Sequence, residues 1–344
     1  MMSMKVVRQL DYPTWRGAID RHPQGNIFHT PEMFEIFART KGYQPQLWAV
    51  VDGDEVLALM MPVQITLMSG LARFFTTRSV VHGGLFWPGE QVHQQALMLL
   101  LRTYTSEAKG ALFTELRHQT DSSALQPILA AERFTLEEHC NYLVNLALST
   151  GQIWEKISKS TRKKIARVQQ NQQLIVEELQ HKELLPVWYS LIQKTFRTVR
   201  VPLADYSLFD AAFDLLQPHG MIQFLLGRAG EQYVAASAAL LYKETIYGWY
   251  RGFDRDFGYL LPNDVMVWRL LKWGAEHGYR QFDFGGAGKP GEPYGPREFK
   301  AKFGGELVVY NRNTYVHAPI RLKLAKTLYY LKQKGLPLKR GVGR

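Results

Sequence analysis

Apolar positions along this chain recur in two rhythms, one of period two and one near 3.6, and their succession lays out the elements. Thr30 is a good N-cap and Pro31 suits a first helical position; Phe34, Phe37 and Ala38 share a face, and Gly42 closes that helix. In QLWAVVDGDEVLALMMPVQITL two apolar, β-rich runs flank Asp52-Gly53, a dipeptide that accepts the positive φ of a tight hairpin turn. RFFTTRSVVHGGLFW predicts a strand stopping at Gly83-Gly84. Leu97, Leu100, Leu101, Tyr104 and Ala108 then mark a helix closed by Gly110, and ALFTELR is the strand after it.

After a linker near Ser149-Thr150-Gly151 the order returns. Residues 153–172 predict a basic helix carrying Lys159, Arg162, Lys163, Lys164 and Arg167. Trp188, Leu191, Ile192 and Phe196 mark a second helix, and Ser207 with Asp210 a capping-box start for a third. MIQFLLGRAGEQYVAASAALLYKETIYGWYRGF reads as a hairpin and a further strand. A helix from Asp264 to His277 follows, Gly278 ends it, and YRQFDFGG is the next strand. Hairpin, strand, turn, helix, glycine and strand thus occur twice at half-chain spacing. This predicts two similar α/β domains, 1–150 and 151–315, followed by a tail over 316–344.

The composition agrees with two cores, since 46% of the 344 residues are hydrophobic. No run of 18 apolar residues is present, and the N-terminus has no apolar signal core, so a cytoplasmic protein is expected. The single cysteine, Cys140, excludes an internal disulfide. RFTLEEHCNYLVNLAL reads as one strand, which turns His139 and Cys140 to opposite faces and argues against a thiol nucleophile or a metal site. The net charge of +11 sits mainly at the C-terminal end. Nine of the 42 lysines and arginines follow Glu306, with no acidic residue among them. There Ile320, Leu324, Leu328 and Leu331 share a helical face, with Lys323, Lys326 and Lys334 around it. Contact with an anionic membrane, contact with tRNA and packing on its own domain all stay open for this segment.

Three motifs carry a resemblance. VWYSLIQKTFRTVRVP spans Val187 to Pro202. Pro262 and Trp268 precede Phe282-Asp283-Phe284-Gly285, and Phe299-Lys300-Ala301-Lys302-Phe303-Gly304 closes the series. Together they resemble the Fem family of peptidoglycan-bridge aminoacyltransferases, within the Gcn5-related N-acetyltransferase (GNAT) superfamily. The resemblance implies an α/β (α+β) class with tandem GNAT-like domains, each a mixed central sheet flanked by helices. It also implies transfer of an aminoacyl group from aminoacyl-tRNA to an amine of a peptidoglycan or other envelope precursor, lipid-linked or nucleotide-linked. No cofactor or metal is implied; aminoacyl-tRNA is the co-substrate.

In that family the substrate amine attacks the ester directly, so the protein supplies positioning and a positive group beside the oxyanion. The resemblance gives Lys300 that part, and Lys300→Met is expected to remove transfer and leave the fold intact. Asp283 steadies the amine or organises the loop after it. Tyr250 and Arg251 lie on the strand lining the expected gap, and Phe299 of the motif is a further substrate-binding candidate. Arg200, with Arg197 behind it, is a clamp for phosphate or carboxylate, and His82 and Gly84 belong to an acceptor groove between the domains. The family lysine of the first-domain helix has no clear match near Ala38, Arg39 and Lys41. Each position also has a plain alternative: a surface lysine, a solvated helix-end arginine, a core tyrosine or a simple turn.

Coenzyme A offers a sharper test. Acetyltransferases of this fold cradle its pyrophosphate at the helix start, and here that turn is RDFGYL. It matches at Arg255 and Gly258, fails at Leu260 and places Asp256 inside the loop. The loop GGAGKPG also fails the phosphate-loop pattern, having Pro290 where Ser or Thr would bind magnesium, and is expected to be a flexible substrate loop. Two other readings stand beside the first: an acyl-CoA-dependent N-acyltransferase of envelope polysaccharide synthesis, and a non-catalytic module binding an anionic surface polymer or lipid carrier.

Overall fold

A computed structural model describes residues 4–68, 70–89 and 91–333. The chain divides into two units, the first made of Met1–Ala38, Gly42–Glu137 and Arg312–Arg344, the second of Arg39–Lys41 and Glu138–Asn311. In chain order the first unit contributes β1 (Lys5–Val7), α1 (Tyr12–Arg21), α2 (Pro31–Arg39), β2 (Tyr43–Pro45), β3 (Trp48–Asp52), β4 (Glu55–Met60), β5 (Pro62–Thr66), β6 (Thr77–Gly83), α3 (Gln91–Glu107), β7 (Phe113–His118), α4 (Gln126–Ala131) and β8 (Thr135–Glu137). The second has β9 (Cys140–Asn145), α5 (Thr150–Lys156), α6 (Lys159–Gln170), β10 (Ile175–Glu178), α7 (Leu185–Val199), α8 (Tyr206–Leu216), β11 (Ile222–Ala229), β12 (Gln232–Tyr242), β13 (Thr245–Phe253), α9 (Pro262–Glu276), β14 (Gln281–Gly286), α10 (Gly295–Ala301) and β15 (Glu306–Val309). β16 (Arg312–Val316) and α11 (Pro319–Gln333) return to the first.

The first unit holds a six-stranded sheet in the order β2-β5-β6-β7-β16-β8 and a three-stranded one, β1-β3-β4. The second holds seven strands, β10-β11-β12-β13-β14-β9-β15. The expected domain limits therefore shift. The apolar run expected to be one strand breaks at Glu138-His139: β8 pairs with β16, while β9 is inserted between β14 and β15. A continuous β-prone stretch does not disclose which sheet each half will join. The predicted helix over 153–172 likewise becomes α5 and α6, separated at Ile157-Ser158. The start of α8 is capped by Asp205, whose carboxylate accepts from the Ser207 N–H, rather than by Ser207 with Asp210.

Each unit encloses its own core. Leu97, Leu100, Leu101 and Tyr104 of α3 pack on Trp48, Val81 and Leu116. Met266, Val267, Leu270 and Leu271 of α9 pack on Val144, Ile246 and Phe282. The opposite face of the second sheet is closed by α7, whose fully buried Trp188 donates to the Ser237 carbonyl at 3.0 Å. α7 also lies close over Gly252, where a Cβ would stand 2.8 Å from both Ile192 Cα and the Leu191 carbonyl oxygen. Gly252→Ala should therefore cost roughly 1–3 kcal/mol of stability, readable by urea denaturation.

The repeated element order conceals one difference. In the first unit the parallel strands β6 and β7 stay paired from Ser79↔Thr114 to Gly83↔His118. In the second, the parallel strands β13 and β14 pair only at Thr245↔Gln281, Ile246↔Phe282 and Tyr247↔Asp283, and then part. A bulge accompanies the parting: Tyr250 pairs with Ala238 and Gly248 with Ala239, leaving Trp249 as an extra residue that bends β13.

Candidate active site

Where β13 and β14 separate, a cavity of about 450 Å³ opens, lined among others by Tyr250, Arg251, Asn263, Phe284, Phe299 and Lys300. Four of the residues singled out in the sequence, Tyr250, Arg251, Phe299 and Lys300, therefore meet in one place. The bulged β13 delivers the first two, and the short α10 delivers the others from the Phe-Lys corner. Gly304 lets that corner close: its φ is +70°, and a Cβ there would stand 2.3 Å from the Lys156 carbonyl oxygen.

Arg251 is the cation that faces the cavity without a partner. Among the described residues its guanidinium makes no hydrogen bond or ion pair, and it lies 5.3 Å from the Phe299 ring and 5.8 Å from that of Phe284. Burial holds it down at about 10, with the Asp264 carboxylate opposing the shift. The Asn263 side-chain oxygen is buried and likewise has no hydrogen-bond partner among the described residues. The cavity thus offers an unsatisfied donor and an unsatisfied acceptor, and a bound group would relieve the cost of burying both.

Lys300 is arranged differently. It is only 6% exposed, and its ammonium donates to the carbonyls of Phe284, Gly285 and Gly286 at 3.0, 2.9 and 2.7 Å. Its three hydrogens are thereby engaged. Burial, then Arg251, pushes the ammonium down to about 8. Arg297 of the same helix donates to the carbonyls of Ala287, Lys289 and Glu292. Two cations of α10 therefore hold six carbonyls of the glycine-rich loop, and Cys140 bonds Ala287 and Gly288 on its other edge. The loop expected to be flexible is tied along its length. Composition showed the glycines, but not the two side chains placed to fasten them.

Asp283 does not line the cavity. Its neighbours Phe282 and Phe284 do, as strand alternation requires, and Asp283 points the other way into the protein. Only 1% exposed, it accepts from Asn141 Nδ2 at 3.2 and 3.1 Å and from the Gly285 N–H at 2.7 Å. This is the loop-organising arrangement. Burial pushes its carboxyl up to about 6 against the pull of those bonds and of Lys300. A carboxyl raised on folding holds a proton that the unfolded chain has released, so its stabilisation falls away as pH rises from about 4 to about 6. The loss should be on the order of 2–3 kcal/mol, and Asp283→Asn should flatten it in denaturation curves recorded across that window.

The other expected residues lie apart from the cavity. Arg197 and Arg200 are exposed at the end of α7, Arg200 capping it with φ 55°. His82 belongs to the first unit, between the rings of Phe28 and Phe37, and burial followed by Arg117, Arg78 and Arg312 holds it neutral, down to about 3. Gly84 has φ +74°, and a Cβ there would reach 2.6 Å from His118 Nδ1. Arg255 and Gly258 form a 3₁₀ turn before α9 that consumes its own amides: Asp256 N–H bonds the Asp254 carboxylate, Phe257 N–H the Asp254 carbonyl and Leu261 N–H the Gly258 carbonyl. Pro262, first in α9, has no N–H to add. Sequence reasoning missed Asn263, Asn141 and Arg297. Asn263 follows Pro262 at a helix start facing the gap, and that position was the one available signal.

Beside the cavity, α6 buries Thr161, Ile165 and Val168 and leaves Lys159, Lys163, Lys164 and Arg167 exposed. None of these four has an ion-pair partner among the described residues. The Ser158 N–H bonds the Lys302 carbonyl at 2.8 Å, fastening the head of α6 to the Phe-Lys corner. Lys302 and Lys164 both lower the Asp264 carboxyl, although burial dominates and raises it. Among the described residues no cluster able to hold a metal ion occurs.

Residues 155–301 match the family model of the GNAT acetyltransferase domain. No curated protein matches the chain by sequence. Among solved structures, the crystal structure of FemX is similar over 93% of this chain and 99% of its own, with a TM-score of 0.72 and 15% identity. The structure of L-PGS from Bacillus licheniformis is similar over 96% and 99%, with a TM-score of 0.58 and 12% identity. A tandem GNAT protein from the clavulanic acid biosynthesis pathway is similar over 92% and 99%, with a TM-score of 0.56 and 10% identity. At these identities the likeness is one of fold. The second unit thus carries a stretch that matches the GNAT acetyltransferase domain, and the chain shares the fold of these FemX, L-PGS and tandem GNAT structures along nearly its whole length.

Proposed function

We propose that the protein transfers an aminoacyl group from aminoacyl-tRNA to an amine of a cell-envelope precursor. The observation that carries this reading is the pair of unsatisfied groups in the cavity, Arg251 and the Asn263 oxygen. An aminoacyl ester meets both, its carbonyl oxygen accepting from Arg251 and its α-ammonium donating to Asn263. A bare acetyl group has no donor for Asn263. The acceptor nitrogen attacks the ester carbon, the N–C bond forms and negative charge gathers on the carbonyl oxygen beside Arg251. As the intermediate collapses the C–O bond to the ribose breaks, and the proton lost by the amine ends on the ribose hydroxyl. Arg251 here takes the part first expected of Lys300, whose hydrogens are engaged.

The exposed cations of α6 support a polyanionic donor, since a row of unpaired lysines and arginines is a footprint for a phosphate backbone. The self-satisfied turn before α9 argues against a coenzyme A pyrophosphate there. The second reading, an acyl-CoA donor, keeps one support, the acetyltransferase family model over residues 155–301. The two are separated by incubating the protein and an amine acceptor with labelled aminoacyl-tRNA or labelled acetyl-CoA. Acceptor-dependent transfer from the tRNA is expected; transfer from acetyl-CoA alone would overturn the proposal.

The reading includes a membrane-surface location. Among the described residues no helix is long and apolar enough to cross a membrane. Ile320, Leu324 and Leu328 of α11 are 77%, 51% and 39% exposed, which disfavours their packing on the first unit. Leu331's side chain and Lys334, Lys339, Arg340 and Arg344 lie outside the described residues. Ile320→Ser with Leu324→Ser should abolish co-sedimentation with vesicles containing anionic lipid, while wild-type protein pellets with them and not with zwitterionic vesicles.

A further inference from the structure

α9 runs from one cavity to another. Asn263 at its start lines the cavity between β13 and β14, while Trp273 and His277 near its end line a second one of about 510 Å³. Asn263 and Trp273 stand about 15 Å apart along the helix at its ordinary rise, so the two cavities are separate. The second lies at the end of the seven-stranded sheet, where Glu178 closes β10, Ile222 and Gln223 open β11 and Leu241 nears the end of β12. Trp273, His277 and Tyr279 give it an aromatic wall. The Trp273 ring stacks on His277 with centroids 4.3 Å apart and meets Tyr279 at 5.5 Å. Neither the transfer chemistry nor the core uses this place.

Its polar groups want donors. Gln223 is 3% exposed, and its side-chain oxygen is buried with no hydrogen-bond partner among the described residues. The Gln217 oxygen is in the same state, and its orientation is set because Gln217 Nε2 donates to the Leu179 carbonyl at 3.1 Å. Glu178 lines the same cavity and has no ion-pair partner among the described residues. Burial raises its carboxyl, with Arg269 and then Gln180 opposing the shift. No lysine or arginine is among the described lining residues, and the C-terminal, negative end of α9 adds to the preference for positive charge. An anion finds no charge partner here, and a neutral polyol leaves Glu178 unmatched. The complement is a cation with several N–H donors and a flat face. A guanidinium has both, since its planar fork donates in several directions while its plane stacks on aromatic rings.

We infer that this cavity binds an alkyl guanidinium, its N–H groups donating to the Gln223 and Gln217 oxygens and the Glu178 carboxylate, its plane against the aromatic wall. The inference goes beyond acyl transfer, and its test is binding alone. Calorimetric titration of the full-length protein with agmatine at constant ionic strength should show saturable binding. Gln223→Met, which keeps the shape and removes the oxygen, should weaken it by about tenfold or more. Glu178→Gln should weaken it by a similar factor; this residue is half-buried and free of ion pairs, so the test does not hang on the folding of Gln223→Met. Glu276→Gln, at an exposed carboxylate 3.8 Å from Lys272, should leave the affinity unchanged. Acetyl-arginine amide in place of agmatine then distinguishes a peptide side chain from a free amine as the source. Absence of agmatine binding, wild-type affinity in either Gln223→Met or Glu178→Gln, an equal loss in Glu276→Gln, or tighter binding of glucose than of agmatine would each overturn the inference.

Discussion

Lys300→Met should lose both stability and transfer. The substitution leaves the carbonyls of Phe284, Gly285 and Gly286 without their donor, in a place where Lys300 itself is 6% exposed. Unsatisfied buried acceptors cost about 1–3 kcal/mol each, and removing a desolvated ammonium returns part of that, so a net loss of about 3 kcal/mol is expected. With the clamp gone, the loop that ends β14 loosens and the cavity wall moves. Transfer should then fall by about a hundredfold or more, in line with the sensitivity of positioned sites to small displacements. Urea denaturation and a transfer assay on the same preparation check both parts. Lost transfer with unchanged stability would restore the direct oxyanion role first expected of this lysine, and with it the expectation of an intact fold.

Arg251→Met should give the complementary result. Its guanidinium lines the cavity with no hydrogen-bond or ion-pair partner among the described residues, so the fold gains little from its charge. Stability should hold or rise slightly, because methionine fills similar space against Phe284 and Phe299 without a buried charge. Transfer should drop by roughly a hundred- to a thousandfold, the range seen when a preorganised donor is removed from a developing oxyanion. The loss should appear in kcat at saturating donor. A change confined to KM would make Arg251 a binding group only.

Much of this was legible in the chain. The doubled element order and the helices closed by Gly42, Gly110 and Gly278 follow from periodicity, and the resemblance singled out Tyr250, Arg251, Phe299 and Lys300, which the structure places around one cavity. What stayed hidden depends on contacts between residues distant in sequence. Nothing around Glu138 says that β8 and β9 enter different sheets, because both halves are equally β-prone. Nothing in Phe-Lys-x-x-Phe-Gly says that the lysine's hydrogens are spent on carbonyls some fifteen residues earlier. Asp283 shows the limit of motif reasoning: strand alternation alone would have turned it away from the cavity, had the facing of Phe282 and Phe284 been known.

The central claim is that the cavity receives an aminoacyl group through Arg251 and Asn263. A structure of the protein with a non-hydrolysable aminoacyl-adenosine, its ester replaced by an amide, tests it most directly. The account places the ligand carbonyl oxygen within hydrogen-bond distance of the Arg251 guanidinium and the α-ammonium on the Asn263 oxygen. It is contradicted if the ligand leaves both groups untouched, or if coenzyme A occupies the cavity with its pyrophosphate on the turn from Arg255 to Leu260.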